Sequence, residues 1–108
     1  MELQWECANE TLTVSLVGEL DHHAAASIRE QIDTEVVRRS AKMLVLDFAK
    51  LSFMDSSGIG LIMGRYRLMQ TRKGKLSVRN LSPRYQQMAR MAGLEKLGVL
   101  EPERTDTQ

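Results

Sequence analysis

Asp55-Ser56-Ser57-Gly58 is the stretch best equipped for chemistry, with a carboxylate, two hydroxyls and a glycine between an apolar segment and a helical pattern. Small hydroxyl residues at such a turn can cap the helix, attack a substrate, hold a phosphate or receive one. Capping alone would account for these residue types, because Asp and Ser are favoured where a helix's first N–H groups lack partners. A P-loop needs a lysine before its terminal Ser or Thr to neutralise nucleotide phosphates, and none stands here. A hydrolase elbow has the form G-x-S-x-G, which Phe53-Met54-Asp55-Ser56-Ser57 does not supply. The other titratable cluster is Asp21-His22-His23. With Ser57 it could be drawn as a Ser/His/Asp triad, though a helix cap followed by solvent-facing imidazoles is the simpler reading. A metal site is not expected, because no further His, Cys or paired carboxylate sits at ligand spacing.

The remaining chemistry is phosphate acceptance. A phosphate on a helix's first turn lies at the positive end of the dipole, where negative charge is favoured. Such a modification need not damage the fold. It adds roughly −1.5 to −2 charges, so its effect falls on whatever docks there. Ser57, Leu61, Gly64 and Leu68 recur at steps of four, three and four residues, which puts them on one helix face. Gly60 and Gly64 would allow a partner's backbone to come close. The same facts fit tight helix–sheet packing with Leu61 against a neighbouring helix, and the residues alone leave both readings open.

The elements that must position these groups follow from periodicity. Leu3, Trp5 and Cys7 alternate with polar residues, as do Leu12, Val14 and Leu16, and Asn9 between them is a turn former, so a hairpin is expected. Gly18-Glu19-Leu20-Asp21 closes the second strand, and Asp21 is placed to cap a helix starting near His22. That helix carries an apolar stripe of Ala25, Ile28, Ile32 and Val36. Met43–Leu46 reads as a central strand covered on both faces. A second helix from Asp55 to about Arg72 buries Ile59, Ile62, Met63, Tyr66 and Met69, with Gly74 as its left-handed C-terminal residue. Leu76–Asn80 is a further strand. Ser82-Pro83 opens a third helix carrying Tyr85, Met88 and Met91 and stopping at Gly93. Leu97–Leu100 adds a last turn or edge strand, and the polar segment Glu101–Gln108 frays. Strands and helices interleave, which gives an α/β class with a mixed four- to five-stranded sheet and flanking helices, in one domain over residues 1–108.

Composition narrows the function classes. Fifteen basic and 14 acidic residues leave a formal net charge of +1, so no broad footprint for nucleic acid is present. Arg65, Arg67, Arg72, Lys73 and Lys75 gather locally and read as a solvated helix face. Cys7 has no partner for a disulfide and reads as a small core thiol in a reducing compartment. Met1-Glu2-Leu3-Gln4 has neither a basic start nor an apolar stretch, and the longest apolar runs fall far short of a bilayer's roughly 20 residues. A cytoplasmic location with no membrane partner is therefore expected.

Two longer stretches, "GELDHHAA" (Gly18–Ala25) and "LSFMDSSGIGLIMGRY" (Leu51–Tyr66), closely resemble the anti-sigma factor antagonists, whose fold is the STAS domain. The resemblance covers nearly the whole chain and fades at Met1–Gln4 and Glu101–Gln108. Asp21-His22-His23 resembles the sporulation type rather than the general-stress type. The resemblance implies a switch without catalysis. The unphosphorylated antagonist binds an anti-sigma factor that is also a serine kinase, and so frees a sigma factor. The kinase phosphorylates the second serine of D-S-S-G, here Ser57, and a PP2C-type phosphatase reverses it. ATP and magnesium belong to the kinase, so no cofactor is expected in this chain, which would be a monomer when free. The resemblance also implies that the loop of Gly18, Glu19 and Asp21 lies near that serine and shares the partner surface. With the helix start read above, the expected docking set is Gly18, Glu19, Asp21, Asp55, Ser56, Ser57, Gly58, Gly60 and Leu61. The rival classes are a small hydrolase using Ser57 and His22, and a STAS-like module of another phospho-switch assembly.

Overall fold

The computed structural model describes residues 1–101. Its elements run β1 (Glu2–Ala8), β2 (Thr11–Leu20), α1 (His22–Arg39), β3 (Met43–Asp47), β4 (Leu51–Met54), α2 (Ser56–Thr71), β5 (Lys75–Arg79) and α3 (Pro83–Met91), followed by a 3-10 turn at Leu94–Leu97. The β1–β2 hairpin turns on Asn9 and Glu10, both at positive φ (54° and 66°). That pair of left-handed residues is the two-residue turn whose twist suits adjoining antiparallel strands.

The sheet is five-stranded and mixed, in the order β1-β2-β3-β5, with β4 also on β2. β2 is antiparallel to β1 and parallel to both β3 and β4. It gives Thr11–Ser15 to β3 and Gly18–Leu20 to β4, which its ten-residue length allows. Leu12, Val14, Leu16 and Leu20 alternate onto one face of β2 and are wholly buried beneath the stripe of Ile28, Ile32 and Val36 from α1 and Ile59, Ile62 and Met69 from α2. Leu44, Val45 and Leu46 of β3 are all buried, as befits the central strand. α3 adds Tyr85 and Ala89 to the same core, and the Tyr85 hydroxyl accepts the Met54 N–H at 3.0 Å, fixing the end of β4.

Several expectations change here. The fifth strand is Leu51–Met54, whereas Leu97–Leu100 provides part of the 3-10 turn and a single bridge from Leu100 to Val78. Cys7 is exposed rather than a core thiol. Its alternation gives the correct face, since Cys7 sits opposite Leu12, but β1 is an edge strand, and at that edge Cys7 stays exposed. Arg65 leaves the solvated group: it is 5% exposed and pairs with Asp33 of α1, Nε to Oδ1 at 2.8 Å. Met91 is 81% exposed, because α3 turns Tyr85, Gln86 and Ala89 inward instead.

The left-handed residue after α2 is Lys73 (φ 59°), not Gly74. Gly74 meets a different demand: a Cβ there would lie 2.6 Å from the Lys42 carbonyl oxygen and 2.7 Å from Met69 Cε. Glu101 is held rather than frayed, accepting from Ser77 Oγ at 2.9 Å and Arg79 Nε at 3.0 Å. The rest of the expected fraying segment lies outside the described residues.

Candidate functional site

Leu20 and Met54 are register partners at the ends of two parallel strands. The next residue on each, Asp21 and Asp55, is the N-cap of a helix. Parallel pairing therefore sets two helix N-termini side by side at one edge of the sheet. The Asp55 N–H donates to the Leu20 carbonyl at 3.3 Å and ties the two starts together.

The Asp21 carboxylate accepts the Ala24 N–H at 2.9 Å, and this bond holds its pKa below the ordinary carboxylate value, with the charge of His23 adding to the effect. The Asp55 carboxylate accepts the Ser57 N–H at 2.8 Å. Asp55 alone is thus the cap of α2, and Ser56 is its first helical residue. Ser57 is second, with its N–H committed to Asp55 and its side chain lining an open groove.

Gly58 explains how α2 starts so close to the sheet. A Cβ at Gly58 would overlap Met54 Cγ and Sδ and come within 3.2 Å of Leu20 Cδ2. Gly60 is the opposite case: it is exposed, and a Cβ there would meet nothing within 4 Å. Gly18 (φ 112°) adopts a backbone conformation that glycine favours. It sits at a register shift in the β2–β4 ladder, and its carbonyl accepts the Ser52 hydroxyl at 3.0 Å. The shift sets the last residues of β2 beside β4.

The residues proposed from the sequence therefore share one end of the molecule but differ in accessibility. Glu19, Ser56 and Gly60 are exposed, and Gly18, Asp21, Asp55 and Ser57 are half-buried. Gly58 and Leu61 are buried. The open alternative for Leu61 resolves toward the core, since it is 4% exposed and reaches the surface only as part of the groove. Phe53, 43% exposed, adds an apolar side chain from β4 that lies within the quoted motif but was not among the expected partner residues.

A triad is not assembled. Asp21 is engaged by its own helix, and among the described residues neither histidine hydrogen-bonds the Ser57 hydroxyl. Among the described residues no group of three or more His, Cys, Asp or Glu could hold a metal, and no helix is long and apolar enough to cross a membrane.

Between α1 and α2 runs a groove of about 300 Å³ lined by His22, Ala25, Ala26, Arg29, Ser57, Gly60 and Leu61. Arg29 was not singled out in the sequence. The available signal was its spacing, seven residues beyond His22 and so two helical turns along one face. Deeper between the helices, burial pushes the Asp33 carboxyl up and Arg65 down, and their mutual attraction opposes both.

The STAS domain model matches residues 2–106. An anti-sigma F factor antagonist of Paenibacillus polymyxa is 38% identical over 97 residues, covering 90% of this chain and 83% of the relative. The solved structure of the anti-sigma factor antagonist SpoIIAA in its unphosphorylated form superposes with a TM-score of 0.82 at 34% identity, covering 98% of this chain and 91% of that one. The phosphorylated form of SpoIIAA, a Bacillus cell fate determinant, gives 0.76 at 34% identity, with 98% and 95% covered. A helix start built around D-S-S-G beside a second capped helix, on this sheet and with these relatives, places the chain in the STAS domain family, among the anti-sigma factor antagonists.

Proposed function

We propose that this chain is a phosphorylation-gated antagonist of an anti-sigma factor that is itself a serine kinase. Unphosphorylated, it binds that kinase and releases a sporulation sigma factor. Phosphorylated on Ser57, it lets go, until a PP2C-type phosphatase restores it. The chain performs no catalysis and carries no cofactor of its own, and it acts as a cytoplasmic monomer when free. ATP and magnesium come with the kinase.

The observation that carries this reading is the position of Ser57. It is the second residue of α2, its N–H is held by Asp55 at 2.8 Å, and its side chain opens onto a groove instead of the core. A phosphate there meets a helix N-terminus and an already organised turn, so the fold tolerates it. The docking face would comprise Glu19, Phe53, Ser56, Ser57 and Gly60, with Asp21 and Asp55 at its edge. Gly18, Gly58 and Leu61 would support that face from beneath. A partner pocket shaped for a neutral hydroxyl would have to desolvate the phosphate, which costs several kcal/mol unless paired. A loss of ~3 kcal/mol already weakens binding by roughly 100-fold.

The test is incubation with the anti-sigma kinase, ATP and magnesium, followed by mass spectrometry of the modified position and a binding assay. One phosphate on Ser57 and loss of kinase affinity are expected. Ser57→Ala should bind without ever being inactivated. Labelling of Ser57→Ala to the wild-type level would assign the switch to another residue.

A further inference from the structure

The groove between α1 and α2 has a wall, on α1, that the docking surface does not require. On α1 its lining recurs as His22, Ala25, Ala26 and Arg29, and on α2 as Ser57, Gly60 and Leu61. Three of these seven are alanine or glycine, and beyond Gly60 there is open space where a Cβ would point. The groove is therefore roomy beside the Ser57 hydroxyl. Among the described residues its charged or titratable lining groups are a guanidinium and an imidazole, with no carboxylate.

Arg29 is exposed, and among the described residues it forms no hydrogen bond or ion pair. Asp33, whose charge attracts Arg29 through space, is already engaged by Arg65 at 2.8 and 3.3 Å. Arg29 thus keeps a full set of N–H donors in the planar fork that suits phosphate oxygens.

We infer that the groove is an internal receptor for the phosphate of Ser57, with the Arg29 guanidinium as its fixed cation and His22 as a second donor. The inference rests on Ser57 being the modified residue and adds what becomes of the phosphate afterwards. The dianion folds sideways into the groove between the helices and leaves the docking face altered in shape as well as in charge. Ala25, Ala26 and Gly60 are small because a larger side chain would fill the place the phosphate takes.

The test installs phosphoserine at position 57 during synthesis, so that it does not depend on any kinase, and follows the phosphate by phosphorus-31 NMR titration. The titratable and charged groups around it are the imidazoles of His22 and His23 and the guanidinium of Arg29 on α1, and the carboxyl groups of Glu19, Asp21 and Asp55 at the ends of β2 and β4. A neighbouring cation favours the dianion and lowers the second pKa below the ordinary value of about 6. Replacing Arg29 by Ala keeps every other charge, so the difference isolates the guanidinium. Arg29→Ala should raise the phosphate pKa by about half a unit, and Arg29→Lys should restore part of it. Phosphorylation should also move the Arg29 Nε resonance in the wild-type protein.

If phosphate titration is the same in wild type and Arg29→Ala, both folded by amide spectra, and the Arg29 Nε resonance does not move, the inference is overturned. Failure of the kinase to label Ser57 would instead strike the proposed switch, while the installed phosphoserine would still report on the groove.

Discussion

Helices α1 and α2 start from neighbouring positions on one sheet edge, each from an aspartate cap one residue past a paired strand end. Their first turns then diverge. α1 continues His22-His23-Ala24, with the cap carboxylate reaching the third residue and the Ala25 N–H bonded to the Asp21 carbonyl at 3.0 Å. α2 continues Ser56-Ser57-Gly58, with the carboxylate reaching the second residue and Gly58 N–H already bonded to the Asp55 carbonyl at 3.0 Å. The second start is wound more tightly and pressed against Met54 and Leu20. A generic helix start tolerates many side chains at these places. One that presents a serine at a fixed height above the sheet does not.

The largest test of that contrast exchanges the third helical residue. Gly58→Val would force Met54 and Leu20 aside in a closely packed region and should cost roughly 2–3 kcal/mol. The equivalent residue of α1, Ala24, borders a cavity of about 210 Å³ with Met1, Leu3 and Ile28. Ala24→Val therefore costs little beyond its lower helix propensity, about half a kcal/mol. Urea unfolding of the two variants measures the difference, and equal losses would remove the distinction between the starts.

The features that separate the two starts were unequally legible in the sequence. Asp21, Asp55 and Ser82 announced their helices because capping is decided within three residues, and each side chain accepts from its own first turn. The strand β4 was not announced. It has four residues, Ser52 and Phe53 of it are exposed, and it exists through pairing with a strand more than thirty residues earlier. Arg65 stood among Arg67, Arg72 and Lys73 with nothing local to mark it, since its burial depends on Asp33 across the helix interface. Leu61 was ambiguous for a related reason. The stripe of α2 is widened by α1 lying along its side, and a single-helix periodicity shows only the face toward the sheet. Trp5 and Cys7 lay on the predicted face of β1, but how far an edge strand is covered is a tertiary fact.

A smaller effect of opposite sign is expected two residues further on. Gly60 and Ala26 occupy the same place after their caps, both are exposed, and both line the groove. A glycine inside a helix costs about 1 kcal/mol relative to alanine, and here a Cβ meets no neighbour. Gly60→Ala should therefore stabilise the protein by about 1 kcal/mol, read as a raised urea midpoint, and Ala26→Gly should lower it by a similar amount. If the kinase approaches α2 closely at Gly60, the more stable variant binds it less well. A gain in stability with unchanged affinity would move the docking contact elsewhere on the face.

The smallest effect concerns the caps and pH. Asp21 has a histidine two residues on, within the first turn of its helix, and Asp55 has serines there instead. The Ala24 N–H bond, aided by His23, holds the folded pKa of Asp21 below its ordinary 3.8. A carboxylate with a depressed folded pKa contributes stability that is complete above its unfolded pKa. That contribution is lost as pH falls through the folded pKa. The window for Asp21 therefore lies below about pH 4, and little of the change is visible near neutrality. Asparagine is a comparable cap that does not titrate in this range, so Asp21→Asn supplies the reference. Its stability should converge with or overtake that of wild type as pH is lowered through the window, in parallel urea titrations at low salt. Parallel curves throughout would mean that the Asp21 carboxylate caps α1 no better charged than neutral. The start of α1 would then owe its position to the strand pairing beneath it.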